Sequence, residues 1–502
     1  METLGYLLHG FETAFTWWNL LYCLIGVSAG MFLGVLPGLG PVSGTALLLP
    51  LTFNMEPVSA IIMLSGIYYG AMYGGTITSV LINVPGEAAS VVTCIDGNQM
   101  AKQGRAGTAL GVAAIGSFIG GITSLFALAF VGPPLAEFAL KFGPPEYFAL
   151  LMFGLLMVVA FMGKSLIKGL IAAVIGLILS LVGMDPVSGA TRFIFGQAEL
   201  VGGLDFIILA MGFFGVAEIL STMETQMKSN EIPKIQGLLP KKEEWKPTLK
   251  AVGRGTGLGI FLGLVPGANT VISSLLSYSL EKKVAKDPTR FGKGAIEGVA
   301  GPETANNAHS GSSLIPLFTL GVPSSPTVAV IFGAFIMHGL QPGPGLFQKN
   351  PDFVWGIIAS MFIGNVILLI FNLPMARFWA KLTQVPFKLL LPLILFITLL
   401  GTYSVNNSLW DVFMTIVFGV LGYFMKKLEI PVAALILTFI LGSQIETALL
   451  QSLRLAENGS ASIFFERPIS GAIMGISLLV LIIGVISEVK KKRSMLSSDV
   501  EI

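Results

Sequence analysis

Long apolar runs follow one another along almost the whole 502-residue chain, separated by short polar or Gly/Pro-rich pieces. They cover about 17–36, 42–53, 58–82, 107–132, 147–163, 166–183, 204–220, 255–280, 312–320, 327–340, 353–376, 389–403, 409–425, 430–447 and 470–489. A helical run of roughly 20 such residues crosses about 30 Å of hydrocarbon, and a water-soluble fold has no interior large enough for so many. Composition agrees, since charged residues are 12% of the chain against about 25% in soluble proteins, and mean hydropathy is +0.81. The expected fold is an all-α polytopic integral membrane protein with roughly 10–14 membrane segments. A large soluble enzyme is excluded, and a net charge of +2 offers nucleic acid no basic face.

Several runs are too short to span. Those at 42–53, 312–320 and 327–340 read as halves of broken helices or as re-entrant hairpins, which a membrane tolerates only where protein or an aqueous cavity satisfies the freed backbone. Trp17 and Trp18 form an interfacial pair at the start of the first crossing, which is interrupted at Pro37 and Gly38. The amino terminus, with Glu2 and Glu12, lacks the basic start of a cleaved signal. Cys23 and Cys94 read as small hydrophobes in apolar surroundings.

Basic residues supply the orientation. Lys228, Lys234, Lys241, Lys242, Lys246, Lys250 and Arg254 fill one connection, Lys282, Lys283, Lys286, Arg290 and Lys293 the next, and Lys426, Lys427 and Lys490 to Arg493 follow. The positive-inside rule puts these, and the carboxyl terminus, in the cytoplasm, and the loop from Glu457 to Glu466 outside. The sequon at Asn458 reads as chance.

An internal repeat narrows the class further. Gly30-Met31-Phe32-Leu33-Gly34-Val35-Leu36-Pro37-Gly38 aligns without a gap on Gly259-Ile260-Phe261-Leu262-Gly263-Leu264-Val265-Pro266-Gly267, an offset of 229 residues. Each copy leads into hydroxyl-bearing sequence, with Gly40, Ser43 and Thr45 in the first and Asn269, Thr270, Ser273 and Ser274 in the second. Farther on, Val84-Pro85-Gly86 matches Val322-Pro323-Ser324. Paired Gly/Pro breaks in two halves point to the binding site of a secondary transporter, where unwound carbonyls hold cations and half-helix N-termini face an anion. Whether the halves run parallel or inverted is open at this level.

The richest polar block is Glu297 to Gly311, with Glu303, Asn306, Asn307 and His309; its first-half counterpart runs from Asn83 through Glu87 to Ser90, then Asp96. Amides and hydroxyls suit a site that must bind and release ions, because they offer oriented dipoles without a permanent charge. Three histidines and no HExxH, CxxC, GxSxG or Walker pattern argue against catalysis, a metal centre or direct ATP use.

Three runs carry a family resemblance: Gly34-Val35-Leu36-Pro37-Gly38-Leu39-Gly40-Pro41, Tyr69-Gly70-Ala71-Met72-Tyr73-Gly74-Gly75-Thr76-Ile77-Thr78-Ser79 leading to Asn83-Val84-Pro85-Gly86-Glu87, and Gly301-Pro302-Glu303-Thr304-Ala305-Asn306-Asn307-Ala308-His309-Ser310-Gly311. They resemble the large membrane subunit of tripartite tricarboxylate transporters, over about residues 15–490. The resemblance implies a bacterial inner-membrane secondary transporter, working with a small four-helix membrane subunit and a periplasmic substrate-binding protein. It implies uptake of citrate or another di- or tricarboxylate, driven by sodium or protons, with sodium the expected coupling ion and no cofactor. Carried onto this chain, the Gly/Pro breaks become Pro37, Gly38, Pro85, Gly86, Pro266, Gly267, Pro302 and Pro323. The expected substrate- or ion-binding set is these with Gly40, Ser43, Thr45, Asn83, Asn269, Thr270, Glu303, Asn306, Asn307, Ser324 and Ser325. Sodium would be held by backbone carbonyls near Pro37, Pro85, Pro266 and Pro323. No arginine in the repeat cores offers a bidentate clamp, so helix dipoles would bind the carboxylates. The expected organisation is a first transport repeat with scaffold helices over 1–228, a cytoplasmic basic connection over 229–254, a second repeat with scaffold and C-terminal helices over 255–489, and a tail over 490–502. A stand-alone channel or permease for organic anions is the alternative; it would need neither a cation gradient nor a binding protein.

Overall fold

The computed structural model describes residues 2–498 apart from 37, 163–164, 186–187, 225–232, 234, 383–384, 386 and 457–458. Pro37, Lys228, Lys234, Glu457 and Asn458 therefore lie outside the described residues.

Apart from a two-residue ladder pairing Gly183–Met184 with Thr191–Arg192, the regular structure among the described residues is helical. The first part comprises α1 (Glu2–Ala14), α2 (Trp17–Val35), α3 (Pro41–Leu48), α4 (Pro57–Ile82), α5 (Val91–Met100), α6 (Ala106–Ala139), α7 (Pro144–Met162) and α8 (Leu166–Ser180). Next come α9 (Phe206–Ala210) and α10 (Ala217–Glu224), joined by the π-helical Met211–Val216. The core of the second part is α11 (Trp245–Gly263), α12 (Thr270–Val284), α13 (Glu297–Ser312), α14 (Leu314–Leu320), α15 (Pro326–Met337), α16 (Leu346–Lys349) and α17 (Pro351–Asn372). The chain closes with α18 (Ala376–Leu382), α19 (Phe387–Asn406), α20 (Leu409–Lys427), α21 (Val432–Leu455), α22 (Ile463–Glu466) and α23 (Pro468–Ser498). Nine helical stretches among the described residues are long and apolar enough to cross a membrane.

Glycines fix how the core helices run. A Cβ on Gly26, Gly30 or Gly34 of α2 would lie 2.3 Å from the carbonyl oxygen of Met63, Ile67 or Ala71 of α4. The partner numbers rise together, so α2 and α4 are parallel and in backbone contact along their length, the close approach that small residues permit. Gly255, Gly259 and Gly263 of α11 meet Gly301, Ala305 and His309 of α13 in the same way, again parallel. In each pair the intervening chain must run back: α3 and the turn Leu49–Thr52 do so in the first, α12 in the second.

Two trios result. Helix α17 joins α2 and α4 in parallel, through Cys23 with Ser360, Val27 with Gly364 and Met31 with Asn372. Helix α6 joins α11 and α13 in parallel, through Gly116 with Thr304 and Ser124 with Gly311. The trios are antiparallel to each other, since on α4 and α13 Thr76 pairs with Glu303, Tyr69 with Gly311 and Tyr68 with Ser313. Each half of the chain therefore lends one helix to the trio of the other. Outside them, α21 packs on α7 and α8, α23 on α7, and α20 on α10 and α19.

Three features depart from the sequence reading. Helix α11 starts at Trp245, inside the stretch expected to be connection, and continues through Arg254. Pro302 is not a break: α13 runs from Glu297 to Ser312 straight through it. The block 297–311 is moreover a fully buried helix, held among α4, α6, α11 and α12, which hydropathy cannot reveal because its polar side chains meet protein rather than lipid.

Candidate functional site

Four helices begin where the chain has just been interrupted. Gly40 precedes Pro41 at the start of α3, and Ser90 precedes α5. Asn269 caps α12 by accepting from the Ile272 amide at 3.0 Å, and Ser325 caps α15 by accepting from Val328 at 3.3 Å. Positive φ produces the interruptions, at Gly38 (91°), Asn83 (60°), Gly267 (81°) and Gly321 (69°). Glycine reaches this region without a Cβ clash, and Asn tolerates it as a helix C-cap. Within each half the two breaks touch. The Gly86 amide donates to Gly75 at 3.4 Å, and a Cβ on Gly86 would lie 2.2 Å from the Gly34 oxygen. The Gly267 amide donates to the Ser324 carbonyl at 3.1 Å.

The halves meet through side chains where α4 and α5 cross α13. Glu303 accepts from the Thr76 hydroxyl at 2.8 Å and also from the Thr93 hydroxyl. Asn306 donates its amide to Glu87 Oε1 at 2.9 Å, while the Ala89 amide donates to Glu87 Oε2 at 2.8 Å. Asn307 donates to the Ser117 hydroxyl of α6 at 2.7 Å. Every one of these side chains is buried. Tyr68 lies 3.4 Å from the Ser313 hydroxyl, with Ser310 and Ser325 beside it, and Tyr73 donates to Asn365 of α17 at 3.3 Å. His309 is bound at Nδ1 to the Ser273 hydroxyl at 2.7 Å, fastening α13 to α12.

The expected site residues divide into three groups. Glu303, Asn306 and Asn307 sit in the centre, and Gly40 lies against Glu87 beside it. Pro85, Gly86, Pro266, Gly267, Asn269, Thr270, Pro323, Ser324 and Ser325 shape the breaks or caps; Ser324 donates to the Ser313 carbonyl at 2.7 Å. The remainder lie elsewhere or are spent locally. Thr45 donates to Pro41 of its own helix at 2.7 Å, Ser43 is buried in α3, and Pro302 lies mid-helix accepting from Ser274 at 3.2 Å. Asn83 is exposed as a left-handed C-cap, and Gly38 is exposed and faces Thr222 and Glu218 of α10. Asp96 anchors α5 to the loop before α13, accepting from the amides of Gly292, Gly294 and Ala295 and from the Tyr278 hydroxyl.

The expected set omitted Glu87, Thr76, Thr93, Ser117 and Tyr68. Glu87 directly follows Pro85-Gly86 and Thr76 directly follows Gly74-Gly75, so the break motifs themselves marked those two. Nothing in the local sequence singles out Tyr68, which lies in an apolar helix.

Chemically, the arrangement sets helix N-termini, which favour anions, around buried carboxylates and amides, which favour cations. The model of the tripartite tricarboxylate transporter TctA family matches residues 20–437. An uncharacterised 52.8 kDa protein of the TAR-I ttuC' 3' region of Agrobacterium vitis is 45% identical over 494 residues, covering 98% of each chain. A second uncharacterised protein, from the TAR-II ttuC' 3' region of the same organism, is 43% identical over 235 residues, 47% of this chain and 97% of its own. No solved structure matches. The chain belongs to the tripartite tricarboxylate transporter TctA family and is its large membrane subunit, a multi-pass inner-membrane transporter component and not an enzyme.

Proposed function

We propose that this chain imports a small di- or tricarboxylate such as citrate by sodium-coupled alternating access, receiving it from a periplasmic binding protein and working beside a small four-helix membrane subunit. The observation that carries this reading is the buried contact of Glu87 and Glu303 with side chains of the opposite half, next to helices that start at Gly/Pro breaks. Such a place can present dipoles to an anion and oxygens to a cation within one low-dielectric region.

The two halves are read as inverted repeats. The matching pairs α2–α4 and α11–α13, the returning segments α3 and α12, and the antiparallel contact of α4 with α13 support that reading. Inverted halves are suited to alternating access, because exchanging their conformations exchanges the open side. The basic residues orient them: Lys102 and Arg105 precede α6, and Lys241 and Lys242 precede α11, so α6, α11 and α13 run outward and α2, α4 and α17 inward. The carboxyl terminus is then cytoplasmic, and the α21–α23 connection external. The carbonyls at the breaks are the proposed sodium ligands and the half-helix starts the carboxylate ligands.

The test is uptake of radiolabelled citrate into proteoliposomes holding this chain and its small subunit, with binding protein outside. Accumulation only with an inward sodium gradient and binding protein supports the reading. Gradient-independent equilibration favours a channel, and failure of a panel of carboxylates under both sodium and proton gradients overturns it.

A further inference from the structure

Seven carboxylates are buried among the described residues: Glu87, Asp96, Glu146, Glu281, Glu297, Glu303 and Asp411. Glu146, Glu281 and Glu297 face Arg467, Arg254 and Arg290. Asp96 lies in a cage of three backbone N–H groups and a phenol, and Asp411, in the first turn of α20, takes the Asn406 amide at 2.9 Å. Glu87 and Glu303 differ. Among the described residues neither has an ion-pair partner, and Glu303 has only two hydroxyl donors. Both reach the same stretch of α13, Glu303 from within it and Glu87 through Asn306 one turn on. A buried carboxylate with no ion-pair partner is costly to keep charged, and a second one on the same helix contact adds to that cost.

An independent observation shows where the compensating group goes. Asn306 is fully buried and donates Nδ2 to Glu87 Oε1, yet its Oδ1 has no hydrogen-bond partner. The oxygen shares its carbon with the nitrogen that Glu87 holds, and a hydrogen on that carboxyl group would give it a partner. A primary amide facing a carboxylic acid can make two bonds, N–H to the carbonyl oxygen and O–H to the amide oxygen; the first is present here.

We propose that Glu87 and Glu303 share one exchangeable proton, carried on Glu87 and donated to Asn306 Oδ1, which is taken up and released during the transport cycle. Its part in coupling rests on the transport reading above; its presence does not. The proton comes from water on one side and returns to water on the other, and no bond other than O–H is made or broken. With it, the pair presents one negative charge rather than two to an arriving carboxylate. Among the described residues, the surrounding titratable groups supply no unpaired positive charge. On α4 these are Tyr68, Tyr69 and Tyr73, and on α5 Cys94 and Asp96. Arg254 of α11 is engaged by Glu281 of α12, Tyr278 of α12 by Asp96, and on α13 Glu297 is engaged by Arg290 and His309 by Ser273.

The experiment is infrared difference spectroscopy of the purified full chain between acidic and alkaline buffers, in H2O and D2O, without substrate, partners or gradient. A carbonyl band of a protonated carboxylic acid, shifted by D2O, is expected in the unmodified protein. It should vanish in Glu87→Gln. In Glu303→Gln it should persist but need about tenfold more acid, because a repelling charge that held the proton is gone. Asn306→Leu keeps both carboxylates and should shift the band, which preserves the test if Glu87→Gln does not fold. No such band in the unmodified protein, or one unchanged in Glu87→Gln and Asn306→Leu, overturns the proposal. Absence of the band would leave sodium-driven uptake standing, and failed uptake would leave the band standing, so the two readings fail separately.

Discussion

The side-chain amide of Asn306 donates to Glu87 at 2.9 Å, joining two residues 219 positions apart from opposite halves of the chain. Glu87 directly follows the Pro85-Gly86 break, whereas Asn306 lies inside the unbroken α13. Thr76 and Glu303, 227 positions apart, form the second such bond one turn away on α13.

Thr76→Val removes a hydroxyl donor from the buried Glu303 while preserving shape. Leaving that acceptor short of a partner should cost about 1–3 kcal/mol. Thermal unfolding in detergent should show it, and most of the loss should disappear in the Glu303→Gln background, because a neutral amide needs the donor less. Equal losses in both backgrounds would mean that the hydroxyl acts elsewhere.

Gly30→Ala tests the backbone contact of α2 with α4. Its Cβ would lie 2.3 Å from the Ile67 oxygen, whereas at Gly5 no atom lies within 4 Å. Forced separation of the helices should cost about 1–3 kcal/mol at Gly30 and almost nothing at Gly5. Comparing unfolding temperatures of the two variants is sufficient, and similar values would contradict the helix contact.

Gly267→Ala combines two penalties that Gly459→Ala separates. Both glycines have positive φ, 81° and 63°, but only at Gly267 would a Cβ meet backbone, 2.5 Å from the Met157 carbonyl carbon. Gly459→Ala should lose about 1–2 kcal/mol from backbone strain alone. Gly267→Ala should lose more and should depress uptake as well, since the break it shapes holds Ser324 in place.

The docking of α1 on α17 should depend on pH. His9 contacts Glu12 at 2.9 Å and Asp352 at 3.4 Å, and the bond to Glu12, followed by the charge of Asp352, raises the imidazole above its ordinary value. A raised value in the folded state means that the contribution is complete below the ordinary imidazole range and is lost as pH rises through the folded-state value. Hydrogen exchange of the α1 amides should therefore accelerate, beyond its intrinsic pH dependence, across that window. His9→Gln should abolish the excess.

Much of the architecture can be read from residue order, and the failures have definite causes. The breaks near Gly38, Gly86, Gly267 and Pro323 were legible because glycine and proline act locally on φ and on the backbone donor. Pro302 misled for the same reason: its local signature is a break, but it lies inside α13, where neighbouring helices hold the chain helical through it. Asn83 looked like a ligand because it is polar among apolar residues, when its backbone conformation is what the position uses. Helix α13 escaped notice because hydropathy registers apolar runs, and α13 buries polar side chains against neighbouring helices.

Residue order alone was enough to place this chain in a membrane and to mark the breaks near Gly38, Gly86, Gly267 and Pro323, since each of these follows from transfer energies or backbone preferences acting within one segment. The relative direction of the helix trios, the exchange of α6 and α17 between them, and the meeting of Glu87 with Asn306 depend on which helices pack together. Packing is set by the shapes of small-residue surfaces such as Gly30 on Ile67 and Gly259 on Ala305, and contacts across more than 200 residues leave no local trace in the sequence that makes them.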